Sequence, residues 1–357
     1  MDIESKIKLI KQVGEEIITE EELRHLLQTK EHPIAYDGFE PSGTDVHIAQ
    51  GILRAINVNK MTKAGIKFKM LVADWHAWAN NKMGGDLDKI QLVGKYLIEV
   101  WRNCSMNLQN VEFVWVSDYV KDPEYWKKVM QIARKSTIKR IIRTGQIMGR
   151  KEAEVQQASQ ILYPCMQAAD IFQLKADITQ LGMDQRKVNV LTRELNPSLG
   201  FWKPIVVSHH MLMGLREPPK TKNIDRIMEL KMSKSKPDTA IFMNDSEEDI
   251  LRKISKAYCP AKIIEENPIL EYSRHLIFEK FNTMEIKRQE KFGGDIVIEN
   301  YSELEKLYKE GKIHPADLKT AVANYINEMI NPIREKFDKD PKLKKILETI
   351  KKFEVTR

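Results

Sequence analysis

The chain has 357 residues, with 58 basic and 51 acidic side chains and a net charge of +7. Hydrophobic residues make up 42% of the sequence and charged residues 31%, a balance that is typical of folded globular proteins and excludes a disordered chain. No run has the ~18 apolar residues that a membrane span needs, and the charged N-terminus lacks the apolar core of a secretory signal. Three widely spaced cysteines, Cys104, Cys165 and Cys259, argue against a disulfide framework and against a closed zinc site. We therefore expect a cytoplasmic protein of about two domains.

The first 230 residues alternate between helix and strand patterns. Residues 1–32 have apolar residues at helical spacing and are assigned as an N-terminal helical segment. A short apolar strand at 34–36 runs into a glycine- and proline-containing turn, and helical spacing resumes at Ile48. Strand-length apolar runs at 68–74 and 111–116 flank a helix predicted over 87–103, and further strands are expected at 177–185 and 204–208. This alternation predicts an α/β fold with a Rossmann-like parallel sheet over residues 33–230.

The second part of the chain differs from the first in its residue pattern. A loop and linker at 223–245 precede charged helical segments, which predict an α-helical domain over 246–357. A basic helical region is inserted in the first domain at about 119–160. Between Lys127 and Lys151 this region has nine basic residues and no acidic ones. Lys135, Lys139 and Arg143 recur every fourth residue, so a single helix would carry them on one face, either as a solvated surface or as a contact for a polyanion.

Two motifs have the composition of phosphate-binding sites. A strand, a turn containing Gly38 and Gly43, and the helix start near His47 would direct backbone N–H groups at an anion. His47 would either bond a nucleotide phosphate there or cap the turn. The segment Lys231-Met232-Ser233-Lys234-Ser235 is either a basic linker or a loop whose lysines neutralise a departing pyrophosphate.

Taken together, the two motifs resemble those of class I aminoacyl-tRNA synthetases. His47-Ile48-Ala49-Gln50 is similar to the HIGH signature, and residues 231–235 match the KMSKS signature in every letter. Further blocks at 36–43, 73–77, 163–170, 182–187 and 291–295 resemble the tyrosyl-tRNA synthetases of archaea and eukaryotes, and the resemblance extends from about residue 32 to 337. It implies a Rossmann-like catalytic domain, a helical anticodon-binding domain, and activation of tyrosine by ATP followed by transfer to tRNA(Tyr).

The resemblance also implies roles for individual residues. Tyr36 and Asp170 would bind the phenolic hydroxyl of tyrosine, and Tyr163, Gln167 and Gln185 its ammonium group. Tyr163, Gln167 and Asp170 are spaced i, i+4, i+7, which puts them on one helix face, where a buried polar network is the alternative. The remaining implied residues fall into three sets: His76 in the tyrosine pocket; Gly38, Phe39, Glu40, Gly43, His47, Gln50, Lys231, Ser233 and Lys234 at ATP; and His47, Gln50, Lys231 and Lys234 as the catalytic groups.

For tRNA, the resemblance implies that Lys135, Lys139, Arg140 and Arg143 receive the acceptor stem. Phe292, His314 and Asp317 would lie in the anticodon-reading domain. The alternatives are that Phe292 belongs to the core and that Asp317 caps the following helix. We expect ATP to bring Mg²⁺ with it, no dedicated metal site in the protein, and a homodimer.

Two departures from the family pattern leave alternatives open. Gln50 stands where many class I synthetases have histidine. Three residues, Thr44, Asp45 and Val46, separate Gly43 from His47 where relatives have two, and the extra residue would bring Asp45 near the triphosphate site. The alternatives are a tryptophanyl-tRNA synthetase, a catalytically silent RNA-binding paralogue and a small nucleotidylyltransferase.

Overall fold

The fold is given by a computed structural model, which describes residues 1–150, 154, 157–219, 230, 232 and 237–354. Its centre is a six-stranded sheet. The strands are β1 Gly14–Ile18, β2 Ile34–Phe39, β3 Lys67–Val72, β4 Val111–Trp115, β5 Ile178–Thr179 and β6 Ile205–His209. They lie in the order β1-β6-β5-β2-β3-β4, and all neighbours are parallel except β1 and β6. The sheet confirms the predicted α/β class.

Helices cover the sheet and form the inserted region. In chain order they are α1 Ile3–Val13, α2 Glu20–Thr29, α3 Arg54–Lys63, α4 Asp74–Ala79, α5 Leu87–Asn103, α6 Val116–Tyr119, α7 Pro123–Arg134, α8 Ile138–Thr144, α9 Ala158–Gln173 and α10 Arg186–Leu199. Helix α5 has the predicted bounds, because its apolar face is continuous and Asp86 caps its first turn.

The order in which strands are added to the sheet reverses between the parallel neighbours β2 and β5. From β2 the chain proceeds to β3 and β4 on one side, whereas β5 and β6 lie on the other side. The carboxyl ends of β2 and β5 therefore border an open crevice. Ligands of doubly wound sheets bind at such a switch point.

The N-terminal segment is not wholly helical, so that prediction was wrong. Gly14–Ile18 forms an antiparallel strand, in which Ile17 pairs with Val207 and Ile18 with Val206. These β-branched residues pair with the otherwise open edge of β6, and this pairing between distant segments cannot be predicted from local apolar spacing. The capping box of Thr19 and Glu22 is present and starts α2.

The C-terminal part contains the helices α11 Glu247–Ser255, α12 Pro268–Tyr272, α13 Phe278–Lys280, α14 Tyr301–Lys309, α15 Pro315–Lys339 and α16 Pro341–Ile350. It also contains a two-stranded antiparallel sheet, β7 Met284–Ile286 with β8 Ile296–Ile298, so the expectation of helices alone was wrong. The two parts share one hydrophobic cluster, in which the ring centroids of Tyr96 and Phe337 are 5.5 Å apart. None of the helices in the described ranges is both long and apolar enough to cross a membrane.

Candidate active site

A pocket of about 240 Å³ opens at the carboxyl end of β2, where the strand order of the sheet reverses. It brings together most of the residues singled out in the sequence. Its lining includes Tyr36, Gly38, Phe39, Glu40, His47, Gln50, His76, Tyr163, Gln167, Asp170 and Gln185. Ser42 also lines the pocket, whereas its neighbour Gly43 is not part of the described lining. Helix α9 presents Tyr163, Gln167 and Asp170 to the pocket, as the i, i+4, i+7 spacing predicts.

One end of the pocket is built around the carboxylate of Asp170, which is fully buried. Its Oδ1 accepts hydrogen bonds from the hydroxyls of Tyr119, at 2.7 Å, and Tyr125, at 3.0 Å. The Nε2 of His76 lies 3.0 Å from Asp170 Oδ2. The two tyrosines come from α6 and α7 and were not found from the sequence, because no spacing rule links these helices to α9.

Two buried polar atoms lie at this end of the pocket, and one of them, Asp170 Oδ2, is the atom that faces His76 Nε2 at 3.0 Å. Among the described residues, neither the hydroxyl of Tyr36 nor Asp170 Oδ2 makes a hydrogen bond of good geometry, although both are buried. Burial, together with the negative charge of Asp170, raises the pKa of Tyr36 well above its ordinary value, so this hydroxyl keeps its proton. Buried polar atoms with remaining hydrogen-bonding capacity can bond a polar ligand.

A second polar group of the pocket lies around Glu40, which bonds Tyr163 of α9. The hydroxyl of Tyr163 donates to Glu40 Oε2 at 3.0 Å, and Asn80 Nδ2 donates to Glu40 Oε1 at 3.1 Å. Arg150 Nε in turn donates to Asn80 Oδ1 at 2.6 Å. Asn80 and Arg150 were missed in the sequence, since they act through Glu40 and not on the pocket directly.

The amide side chains of the pocket also pair with each other. Gln167 Nε2 donates to Gln185 Oε1 at 3.0 Å, and Gln185 Nε2 donates to the carbonyl of Ile147 at 3.1 Å. Both side chains are thereby oriented across the gap between α9 and the turn before α10.

The signature around His47 forms a tight turn between β2 and α3. The backbone N–H of Gln50 donates to His47 Nδ1 at 3.3 Å, and Trp101 Nε1 donates to the carbonyl of Gln50 at 2.8 Å. Gly51 follows Gln50, and a Cβ there would lie 2.6 Å from the sulfur of Met243, so a larger residue would require the Met243 side chain to shift.

Asp45 is held away from the pocket, which resolves the expected electrostatic conflict. Its Oδ2 accepts from Thr44 Oγ1 at 2.8 Å, and its Oδ1 accepts from Asn244 Nδ2 at 3.1 Å. The adjoining backbone is fixed as well, because Met243 N–H donates to the carbonyl of Val46 at 2.7 Å. The inserted carboxylate is thus engaged by the segment that follows the second signature.

A buried polar network that sequence analysis missed lines part of the pocket, and its Arg54 pairs with Asp37. Arg54 also donates to Gln180 Oε1 at 3.1 Å, and its Nη2 lies 3.0 Å from His209 Nε2. Burial raises the pKa of Asp37 to about 7 although the charge of Arg54 opposes the shift, and burial together with Arg54 lowers the pKa of His209. His209 therefore stays neutral.

The second signature lies mostly outside the described residues. Lys231, Ser233 and Lys234 are not described, whereas Met232 is buried and lines the pocket. The described N–H of Met232 donates to the carbonyl of Leu212 at 3.2 Å, and Gly214 N–H donates to the carbonyl of Leu230 at 2.7 Å.

The basic insertion does not form the single helix that was predicted. Helix α7 ends at Arg134 with Lys135 as its C-cap, and Thr137 starts α8 as an N-cap whose side chain accepts from Arg140 N–H. A hydroxyl at the N-cap favours a new helix start over continuation. Lys135, Lys139 and Arg143 are exposed, and Arg140 forms an ion pair with Glu194. A cleft beside them also contains Arg186 and Lys187.

Phe292 is 61% exposed, so the alternative that it belongs to the core is wrong. Lys291 Nζ lies 4.9 Å from the centre of its ring. Asp317 is not the cap of its helix either. His314 occupies the N-cap of α15, where its Nδ1 accepts from Ala316 N–H at 3.2 Å, and Asp317 lies in the first turn.

Comparison with known proteins places this geometry in a family. The model of class I tRNA synthetases for tryptophan and tyrosine (W and Y) matches residues 28–331. Tyrosine–tRNA ligase 2, cytoplasmic, of Arabidopsis thaliana is 49% identical over the whole of this chain. The chain belongs to the class I tRNA synthetases, and within them to the tyrosyl-tRNA synthetases. The family consists of ATP-using aminoacyl-tRNA synthetases.

Two further relatives agree with this placement. The chain spans 46% of the length of the Arabidopsis relative above but 90% of tyrosine–tRNA ligase 1, cytoplasmic, from the same plant, to which it is 48% identical over all of its own length. The crystal structure of tyrosyl-tRNA synthetase complexed with L-tyrosine from Pyrococcus horikoshii is 37% identical. It superposes with a TM-score of 0.91 over 98% of this chain and 100% of that one.

Proposed function

We propose that this chain is a tyrosine–tRNA ligase that activates L-tyrosine with ATP and transfers it to the 3′ end of tRNA(Tyr). The observation that carries the proposal is the buried pair of unsatisfied atoms, Tyr36 Oη and Asp170 Oδ2, in one pocket. A phenolic hydroxyl can donate to Asp170 Oδ2 and accept from the hydroxyl of Tyr36. Phenylalanine would leave both groups desolvated and unpaired, which penalises it relative to tyrosine.

We assign the other polar groups of the pocket to the ammonium and carboxylate ends of the substrate. Tyr163, Gln167 and Gln185 would accept hydrogen bonds from the ammonium group, and the charge of the nearby Glu40 would favour it. His76, with its ring edge-on to Tyr163 at 4.9 Å, would keep Asp170 oriented towards the phenol. The hydroxyls of Tyr119 and Tyr125 fix the second oxygen of the same carboxylate.

ATP would lie over the turn after β2. Gly38, Phe39, Glu40 and Gly43 would border it, and His47 and Gln50 would bond its phosphates. Lys231, Ser233 and Lys234 complete this proposal on the basis of the signature. Mg²⁺ would arrive with the phosphates, since the ion retains several waters and binds substrate phosphates without a protein cage.

The proposed reaction has two displacements. A carboxylate oxygen of tyrosine attacks the α-phosphorus of ATP, and the bond to the bridging oxygen of pyrophosphate breaks. A hydroxyl of the terminal ribose of tRNA then attacks the carbonyl carbon of tyrosyl-adenylate, and AMP leaves. Positioning and charge stabilisation supply the catalysis, and no enzyme nucleophile is required.

Two surfaces support the proposed partners. The cleft with Lys139, Arg143, Arg186 and Lys187 would receive phosphates of the acceptor stem, together with Lys135 and Arg140. In the C-terminal part, the exposed Phe292 would stack on an anticodon base, and Asp317 and His314 would bond a base edge.

We also propose a homodimer that forms through the inserted helices. Helices α7 and α8 both pack against α9 and expose large apolar side chains, of which Met130 is 54% exposed and Ile138 70%. Ile161 and Leu162 on α9 are exposed by 36% and 39%. An exposed apolar patch of this kind is typical of an interface.

Exchange of labelled pyrophosphate into ATP tests the proposed activity. We expect exchange that depends on tyrosine and not on phenylalanine or tryptophan. Exchange with tryptophan instead would select the tryptophanyl alternative. An absence of exchange with any amino acid, in a folded protein that still binds tRNA, would favour the silent paralogue.

A further inference from the structure

A group of ionisable side chains outside the pocket links three parts of the chain. His210 directly follows β6, Glu15 belongs to β1, and Glu271 belongs to α12. The Nδ1 of His210 lies 3.0 Å from Glu15 Oε2, and its Nε2 lies 2.7 Å from Glu271 Oε1. The ring of His275 stacks on His210 with centroids 4.7 Å apart and planes inclined by 12°.

The carboxylate of Glu271 also holds the backbone of the segment after β6. The same Oε1 accepts from the N–H of Met213 at 2.9 Å. The neighbouring residue Tyr272 is fully buried, and its hydroxyl donates to the carbonyl of Met213 at 2.8 Å. Both backbone polar groups of Met213 are therefore bonded by consecutive side chains of α12.

The residues on either side of Met213 make backbone hydrogen bonds to Leu230 and Met232, at the start of the second signature. Leu212 accepts from the N–H of Met232, and Gly214 donates to the carbonyl of Leu230. Lys231 lies between Leu230 and Met232 in the sequence. The contacts thus form an unbroken series from Glu15 through His210, Glu271 and Met213 to the two residues that flank Lys231.

We propose that Glu271 and His210 are positioning residues for Leu230 and Met232, the two described residues that flank Lys231 in the sequence, with Glu271 as the central group. Glu271 and Tyr272 fix the backbone of Met213, and its neighbours Leu212 and Gly214 make the backbone hydrogen bonds to Met232 and Leu230. His210 keeps Glu271 in place because it bonds the same carboxylate and is itself held by Glu15 on β1. The consequence for catalysis rests on the proposed function, in which Lys231 stabilises charge on the leaving pyrophosphate.

The charges in this group favour the arrangement. Glu271 is only 11% exposed in its side chain, so a bond to a cationic imidazolium is worth more there than at the surface. Burial lowers the pKa of His210, but the hydrogen bonds to Glu15 and Glu271 outweigh this effect and raise it to about 9. Burial and the charge of His210 lower the pKa of His275 to about 3, so the stacked partner stays neutral.

Hydrogen–deuterium exchange of the full chain tests the positioning itself and does not depend on activity. We compare wild type with Glu271→Gln, which removes the charge and keeps the shape, and with Glu265→Gln, an exposed carboxylate in the preceding loop. We expect exchange of peptides that contain Met213, Gly214 and Met232 to be about tenfold faster in Glu271→Gln and unchanged in Glu265→Gln. Equal protection in the two variants would overturn the proposal.

Kinetics distinguish positioning from a general structural role. In Glu271→Gln we expect kcat for tyrosine-dependent pyrophosphate exchange to fall about tenfold and KM for ATP to rise, while the Kd for tyrosine stays within about twofold of wild type. Tyr272→Phe, which loses only the bond to the carbonyl of Met213, should change kcat in the same direction by a smaller factor. Equal losses of tyrosine binding and of activity in Glu271→Gln would indicate a structural role and overturn the proposal.

The two readouts also separate this inference from the proposed function. If wild type shows no tyrosine-dependent exchange of pyrophosphate but Glu271→Gln loses protection at 212–214 and 232, the proposed function fails and the positioning stands. If wild type is active and protection is the same in all variants, the positioning fails and the proposed function stands.

Discussion

His76 Nε2 lies 3.0 Å from Asp170 Oδ2, and both side chains are about 1% exposed at the closed end of the pocket. The two residues come from α4 and α9, which are 94 positions apart in the chain. Two tyrosine hydroxyls donate to the other oxygen of the carboxylate, whereas Oδ2 makes no hydrogen bond of good geometry among the described residues. This arrangement determines the first two predictions.

Asp170→Asn should weaken tyrosine binding about 10- to 100-fold. The amide keeps the shape and can still accept from Tyr119 and Tyr125, but an NH₂ group in the place of Oδ2 cannot accept a hydrogen bond from the substrate phenol. Equilibrium dialysis with tyrosine and phenylalanine checks this, and the Kd for phenylalanine should change much less. Equal losses for the two amino acids would contradict a phenol-specific role.

Tyr36→Phe should lower kcat/KM for tyrosine about tenfold without loss of stability, because the hydroxyl makes no bond of good geometry among the described residues. Tyr125→Phe is the matched control, since its hydroxyl donates to Asp170. That change should reduce the free energy of unfolding by about 1 kcal/mol. Urea denaturation and pyrophosphate exchange together check the pair. A destabilised Tyr36→Phe would mean that its hydroxyl is bonded within the protein.

Replacing Lys135, Lys139 and Arg143 by alanine should weaken tRNA binding and reduce the slope of log K against log salt by about two to three. All three side chains are exposed, and tyrosine activation should stay at the wild-type level. The control is the same triple replacement at Lys344, Lys345 and Lys351 in the exposed C-terminal helix and its cap. An unchanged salt slope in the variant of Lys135, Lys139 and Arg143 would indicate that the basic insertion is a solvated surface and does not contact tRNA.

Ile138→Asp should convert the proposed homodimer to a monomer, because a carboxylate in the centre of an apolar interface is strongly desolvated without a partner. Sedimentation velocity at several concentrations measures the change. Val297→Asp, at another exposed apolar residue on β8, is the control and should leave the assembly unchanged. A wild-type protein that sediments as a monomer at micromolar concentration would contradict the proposed dimer.

The ion pairs of His210 with Glu15 and Glu271 should make the free energy of unfolding fall as the pH rises on the alkaline side. The pKa of His210 is raised from 6.5 to about 9, so its contribution is fully present below pH 6.5 and is lost as the pH rises through 9. His275, with its pKa lowered to about 3, acts only on the acid side, because stability falls there as the pH drops below 6.5.

Urea unfolding at pH 6.5 and pH 9.5 measures this loss. In His210→Asn, the difference in free energy of unfolding between the two pH values should shrink by about 2 kcal/mol. His25→Asn, at an exposed histidine of α2, provides the control. A pH dependence that is the same in wild type and His210→Asn would show that Glu15 and Glu271 do not stabilise the protonated form of His210.

The strand and helix order of the catalytic part was predictable from local pattern. Helix α5 and the strands β3 and β4 agree with prediction to within one or two residues, because each has a continuous apolar face. The strand expected at 177–185 is only two residues long, since the chain turns at Gly182 towards α10. The break at Ser136–Thr137 was missed because charge spacing was read without the capping signal of Thr137.

The family, the glycine-containing turn after β2 and the face of α9 that bears Tyr163, Gln167 and Asp170 could all be derived from the amino-acid sequence alone. The tertiary structure decided which groups complete the site: the hydroxyls of Tyr119 and Tyr125 on Asp170, the pairing of Arg54 with Asp37, and the capture of Asp45 by Asn244. Local periodicity specifies which face of a helix or strand is buried. The partners of a buried polar atom are set by the packing of elements that are distant in the chain, because such an atom must be satisfied by whatever donor or acceptor the fold brings within about 3 Å.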